Sequence, residues 1–265
     1  MSPRLASACP ALLAAVLLAG PVAAETLPVE DPQAAYARCM EMTRDRPRDA
    51  FGAAVAWEGL GGGEAARHCA AVALFALGEY AEAAARLEIL AEESRQPLPL
   101  RLEVLAQAGA GWLRAGRPGR AEAALGTAIR LAETPVEGVP SALPDLLIDR
   151  ATARADQGRD SAAADDLDRA LSLRPNDAEA LALRASTLRR LGALAAARAD
   201  AEAALARDPT HPGALLERGN IHRLAGEASA ARAAWMRLLE TAPDSPEAAA
   251  ARENLARLDV QGTDQ

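Results

Sequence analysis

The sequence predicts an all-α solenoid of stacked helical hairpins, and three observations predict it. Gly158, Gly192 and Gly226 recur every 34 residues, with Pro175, Pro209 and Pro243 holding the same spacing. Ala163, Ala197 and Ala231 repeat in phase with them. The composition is half apolar yet only 3% aromatic, with alanine, leucine and arginine dominant and no lysine. A period of this length, with glycine in mid-repeat and proline at its end, marks a helix–turn–helix unit that buries its apolar face only against a neighbour. Alanine-rich segments favour helix and lack the β-branched and aromatic residues that strands prefer.

The chain opens with a targeting segment, expected over 1–24. Arg4 supplies a positive start, Ala11 to Gly20 an apolar core, and Val22-Ala23-Ala24 a small-residue exit before Glu25. That pattern predicts export and cleavage after Ala24 rather than a permanent anchor, because the apolar run is short and bounded by Pro10 and Pro21. Cys9 precedes the apolar core, where a lipid-attachment motif would follow it. The expected location is the periplasm, with no integral membrane segment after cleavage.

A degenerate hairpin is expected over 25–63, with helices at 32–46 and 48–60 stopped by Gly61-Gly62-Gly63. The mature chain keeps Cys39 and Cys69, an even count in an oxidising compartment, which favours a disulfide. Each lies on a predicted helix with one helix between them. Two buried free thiols are the alternative, since cysteine also serves as a small core residue.

With the turn glycine at position 15 of a 34-residue unit, five units align on Gly78, Gly116, Gly158, Gly192 and Gly226. Position 20 is alanine in all five, as in Ala83 and Ala121. Position 8 is Ala71, Gly109, Ala151, Ala185 and Gly219. Position 27 is Leu90, Ala128, Ala170, Ala204 and Leu238. Small residues at 8 and 20 let the two helices of a hairpin approach closely, and Leu125, Leu147, Leu167, Leu181 and Leu215 plug the grooves between hairpins. The first two units, 64–133, are stretched: Gly78 to Gly116 spans 38 residues and Gly116 to Gly158 spans 42. Their extra residues fall at Ser94–Pro99 and in a Pro-rich loop at 134–143, both predicted as surface turns. Three regular units follow over 144–243. A capping helix over 244–260 opens on Ser245-Pro246-Glu247, an N-cap with proline at the first helical position, and runs through Leu258 before a frayed tail from Gln261.

Small residues at 8, 20 and 27, a turn at 15 and proline at 32 resemble the tetratricopeptide repeat family from about Glu64 to Pro243. The large aromatics of that family are mostly replaced here; Tyr80, Trp112 and Trp235 retain them. The resemblance implies a right-handed superhelix whose first helices line a concave groove at positions 2, 5, 9 and 12. In the regular units these select Asp145, Ile148, Thr152, Glu179, Ser186, Arg189, Leu216, Asn220 and Arg223. Asn220 alone matches the family's carboxylate clamp, whose basic positions are missing. Arg150, Arg184 and Arg218 recur at position 7. Positions 7 and 23 face each other in a hairpin, so Arg150–Asp166 and Arg184–Asp200 are expected ion pairs. Arg218 meets Ala234 instead, which leaves it for a partner.

These readings point to an exported protein-interaction module that holds a peptide or partner protein in the groove, in an envelope-associated assembly. The partner positions are Glu179, Ser186, Arg189, Leu216, Arg218, Asn220 and Arg223. The alternative is a scaffold that tethers an assembly through its convex face or N-terminal cap, and exposed apolar surface near Trp57 or the termini would favour it. The net charge of −8 comes without a basic stripe, which argues against nucleic acid. His68, His211 and His222 have no metal-ligand spacing, and no nucleophile–base grouping or phosphate loop is present, so neither enzyme activity nor a cofactor is expected.

Overall fold

The computed structural model describes residues 31–134 and 142–263. The targeting segment, its cleavage site and Cys9 lie outside the described residues, as do 135–141 of the Pro-rich loop. Thirteen α-helices and no strand are present among the described residues: α1 (Pro32–Asp45), α2 (Pro47–Gly59), α3 (Gly63–Ala76), α4 (Tyr80–Glu93), α5 (Leu98–Arg114), α6 (Pro118–Ala132), α7 (Leu143–Asp156), α8 (Asp160–Leu173), α9 (Ala178–Arg190), α10 (Leu194–Arg207), α11 (Pro212–Leu224), α12 (Ala228–Thr241) and α13 (Pro246–Thr263). Consecutive helices pack as hairpins, and each hairpin packs on the next. The protein is an α-solenoid of helix–turn–helix repeats.

Each aligned hairpin turns in the same way. The glycine at position 15 takes a left-handed φ between 66° and 83°, open to glycine at no steric cost. Its N–H and that of the next residue close back on the helix end, as in Gly78 N to Phe75 O and Glu79 N to Leu74 O. The same six-residue closure recurs as Arg117 to Trp112, Arg159 to Arg154, Ala193 to Leu188 and Glu227 to His222. These bonds satisfy the orphan carbonyls of a helix C-terminus.

Packing follows the small positions. Ala83, Ala121, Ala163, Ala197 and Ala231 are fully buried, as are the plugs Leu125, Leu147, Leu167 and Leu215, with Leu181 nearly so. The glycines at position 8 mark the closest approaches. A Cβ on Gly109 would stand 2.6 Å from Leu125, and one on Gly219 only 2.2 Å from the Trp235 ring. Trp235 is fully buried there and donates its indole N–H to Leu216 O at 3.3 Å.

The position-7 arginines form an ion ladder along the stack. Arg150 grips Asp166 through two bonds of 2.8 and 2.6 Å. Arg184 grips Asp200 at 2.7 and 2.8 Å and also reaches Asp168 of the preceding hairpin at 2.7 Å. Asp166 and Asp200 are buried, so these bidentate pairs are structural rather than solvated.

Several bounds differ from the sequence expectation, for local reasons. Proline suits the first turn of a helix, so Pro47 opens α2 and Pro99 and Pro144 lie inside the first turns of α5 and α7. The first surface turn therefore shrinks to 94–97, and its extra residues lengthen α5 to 17 residues. Helix α13 continues to Thr263, past Leu258 and Gln261, because no glycine interrupts it before Gly262. Trp57 is buried in the N-terminal core, not on an apolar edge.

Candidate functional site on the first-helix face

The first helices α3, α5, α7, α9 and α11, flanked by α1 and α13, run side by side and form one continuous face. Neighbours along it touch, with one exception: α3 and α5 barely meet. The longer α5 and the inserted linker account for the gap. Glu64, at the start of α3, holds that linker in place by accepting from Ser94 Oγ at 2.6 Å and Arg95 N at 3.0 Å. The Ser94 hydroxyl is the main cause that keeps the Glu64 carboxyl below its ordinary value.

The gap is a cavity of about 470 Å³ lined mainly by apolar surface, including Met40, Leu90, Leu100 and Val104. A polar relay crosses its wall. Gln107 Oε1 can only accept, so His68 carries its proton on Nε2 and donates to it at 3.0 Å. His68 Nδ1 then accepts from the Tyr36 hydroxyl at 2.9 Å. Burial is the chief cause that lowers the His68 pKa, which keeps the imidazole neutral and the relay in this direction. Burial first, and the Glu103 charge second, raise that of Tyr36. With Oε1 committed to His68, the Gln107 amide N–H groups remain as donors at the cavity wall. Glu103 stands at the rim, exposed and without an ion pair among the described residues. A cavity with a fixed polar wall and an apolar floor suits a bulky side chain next to a backbone carbonyl.

Further along, the face becomes acidic. Asp149 on α7 is half-buried, with no hydrogen bond among the described residues. Burial first, then the charges of Asp145 and Glu179, push its pKa up to about 6. In the unfolded chain the group titrates near the ordinary carboxylate value, so between about pH 4 and pH 6 the folded state binds more protons than the unfolded one. Asp149 therefore costs stability progressively as pH climbs through that window, and the full cost is present at neutral pH. Asp149→Asn is expected to raise stability at pH 7 by about 1–3 kcal/mol and to leave it unchanged at pH 3.5. Denaturant titrations at the two pH values check this; equal effects at both would assign the gain to packing.

The partner positions expected from sequence fall at the C-terminal end of this face, where the structure ties several of them to one another. Arg189 grips the buried Glu217 at 2.5 and 3.3 Å. Asn220 Nδ2 donates to the same carboxylate at 3.2 Å, while its Oδ1 accepts from Asn254 of α13 at 3.0 Å. Arg189 and Asn220 thus staple α9, α11 and α13 together. Glu179 meets His211 Nε2 at 3.1 Å, and His211 Nδ1 caps α11 by accepting from Ala214 N. Ser186 accepts from Arg190. Leu216 packs against the Trp235 cluster, and Ile148 is buried. Arg223 is exposed, and Arg218 is half-buried with no hydrogen bond or ion pair among the described residues.

Positions 2 and 5 of the first two units are Ala65 and His68 in one, and Glu103 and Ala106 in the other. Three of these four residues line the cavity. The register that selects groove residues in the regular units thus also selects this site in the stretched ones. Among the described residues no group of His, Cys, Asp or Glu is arranged to hold a metal ion, and no helix is long and apolar enough to cross a membrane.

Comparison with known proteins agrees with this architecture. Residues 178–211, the fourth aligned unit from its first residue to its last, match the tetratricopeptide repeat family. Among solved structures, PilW, a widely conserved type IV pilus biogenesis factor, is similar at a TM-score of 0.61 and 20% identity, over 80% of this chain and 94% of that one. A thermophilic TPR protein of Thermus thermophilus matches at 0.52 and 23% identity, over 74% of this chain and 99% of its own. MamA matches at 0.52 and 18% identity, over 64% and 93% respectively. At these identities the likeness is one of fold. No curated protein sequence matches the chain.

Proposed function

We propose that the protein is a non-enzymatic interaction module that binds a peptide or partner protein along its first-helix face, with the cavity between α3 and α5 as the anchor. The cavity carries this reading, because here the solenoid leaves apolar surface open beside a pre-ordered hydrogen-bond donor. Leu100 lies in its lining and is 46% exposed. A bulky side chain of the partner fills the apolar floor, and the Gln107 amide donates to an adjacent carbonyl. Glu103 favours a cationic residue beside that anchor. The second helices, by contrast, expose large apolar residues singly, as Val55 on α2, Ile89 on α4, Leu173 on α8 and Met236 on α12. Scattered single residues need no partner, whereas a contiguous apolar patch does.

The proposed setting is the bacterial periplasm. The N-terminal charge, apolar run and Val22-Ala23-Ala24 exit support export, and the Cys39–Cys69 disulfide fits an oxidising compartment. An envelope-associated assembly is the proposed context.

A photo-crosslinking residue placed at Leu100 is expected to trap the partner in exporting cells, and one placed at Met236 is not. Leu100→Arg alters an exposed position without disturbing the core, and with Gln107→Ala it is expected to weaken binding at least tenfold, about 1.4 kcal/mol each. Crosslinks from Met236 alone would move the interface to the second-helix face and favour the scaffold reading.

A further inference from the structure

The ion ladder has three rungs, and its third is incomplete. In the first two, the position-7 arginine closes a bidentate pair with an aspartate at position 23 of its own hairpin, Asp166 or Asp200. In the second it also holds Asp168, at position 25 of the preceding hairpin. The third rung places Arg218 on α11 opposite Ala234 on α12. Its position-25 neighbour, Glu202 on α10, lies near enough to act on its charge but forms no ion pair with it.

The third rung also gains a second cation. Burial is the chief cause that lowers the Arg218 pKa, and Arg237 on α12 lies near enough for its like charge to add to that effect. Neither guanidinium makes a hydrogen bond or ion pair among the described residues. A half-buried guanidinium has lost part of its hydration and recovers it only from an acceptor. The other two rungs show what the slot accepts: an aspartate carboxylate gripped through two parallel N–H···O bonds, which Arg154 also holds in the first rung and which Asp168 joins in the second.

We propose that Arg218 and Arg237 form a docking point for an aspartate or glutamate side chain of another protein, which completes in trans the rung that Asp166 and Asp200 complete within the chain. The point sits between α11 and α12, apart from the cavity at α3 and α5, and does not depend on the reading of that cavity. The ligand chemistry is a carboxylate on a short acidic segment. The chain itself carries a net charge of −8, so such a segment is repelled by the protein at large, and any binding reports a local cationic site.

The probe is a fluorescein-labelled hexaglutamate peptide with an amidated C-terminus, read by anisotropy at low salt beside a hexaglutamine control. The wild-type chain is expected to bind hexaglutamate and not hexaglutamine. Ala234→Asp supplies the missing carboxylate from within, so it is expected to weaken peptide binding at least tenfold while raising the melting temperature. Arg218→Gln is expected to weaken binding as much without that stabilisation, and Ile89→Ser, at an exposed position on α4 outside both sites, to bind as the wild type does. Equal binding by wild type and Ala234→Asp would overturn the proposal. So would no binding by wild type, or displacement by inorganic phosphate in preference to free glutamate.

Discussion

Trp235→Ala is expected to destabilise the C-terminal hairpins by about 3–5 kcal/mol, the cost of emptying a large aromatic site in a core that relaxes only partly. Trp235 is fully buried and ties α12 to α11 through its indole N–H. Its buried neighbours Leu215, Ala231, Leu238, Ala251 and Leu255 are held on three different helices and can close into the space only in part. Gly219→Ala attacks the same contact from the other side. Its Cβ would stand 2.2 Å from the indole nitrogen and 2.5 Å from Cδ1, so the ring or the helix must shift, at about 1–3 kcal/mol for overpacking. The pair should couple: in the Gly219→Ala/Trp235→Ala double variant the added methyl occupies space that the ring has left, and the combined loss falls below the sum of the two single losses. Chemical denaturation with hydrogen exchange of α11 and α12 checks this. Additive losses would mean that the ring and the glycine do not constrain each other.

The same pair shows what the sequence made legible. Position 8 reads as small in all five units, and the reason is visible in two of them, where a large residue at position 24 faces a glycine: Leu125 against Gly109, Trp235 against Gly219. The turn glycines, the plugging leucines and the ion pairs Arg150–Asp166 and Arg184–Asp200 were readable in the same manner, because each is fixed inside one repeat or between two adjacent ones. The cavity was not, because it arises where the repeat is broken. Four extra residues between Gly78 and Gly116 announce an insertion, but only the structure shows that they extend α5 and part it from α3. The Arg189–Glu217–Asn220–Asn254 network is also a relation across two hairpins and the capping helix α13. Arg189 and Asn220 sit at groove positions, and nothing in the spacing says that they spend their hydrogen bonds on Glu217 and Asn254.

Reduction of Cys39–Cys69 is expected to cost about 3–4 kcal/mol, the chain-entropy value for a loop of this length, and to do so locally. The bridge joins α1 to α3 across 30 residues. The core it closes is built chiefly from small residues, with Met42 and Trp57 as its large members, so area burial alone holds the N-terminal hairpin weakly. In a solenoid each hairpin leans only on its neighbours, so α1 and α2 should open while α7 to α13 stay folded. Tyr36 lies one turn before Cys39 on α1, and His68 adjoins Cys69 on α3, so the bridge also sets the spacing of the Tyr36–His68 hydrogen bond at the cavity wall. The Cys39→Ala/Cys69→Ala variant should therefore lose amide protection in α1 and α2 first, and weaken binding at the cavity without touching that at Arg218. Hydrogen exchange on oxidised, reduced and double-alanine protein measures this directly. Equal protection of α1 in all three would show that packing, not the covalent link, holds the cap in place.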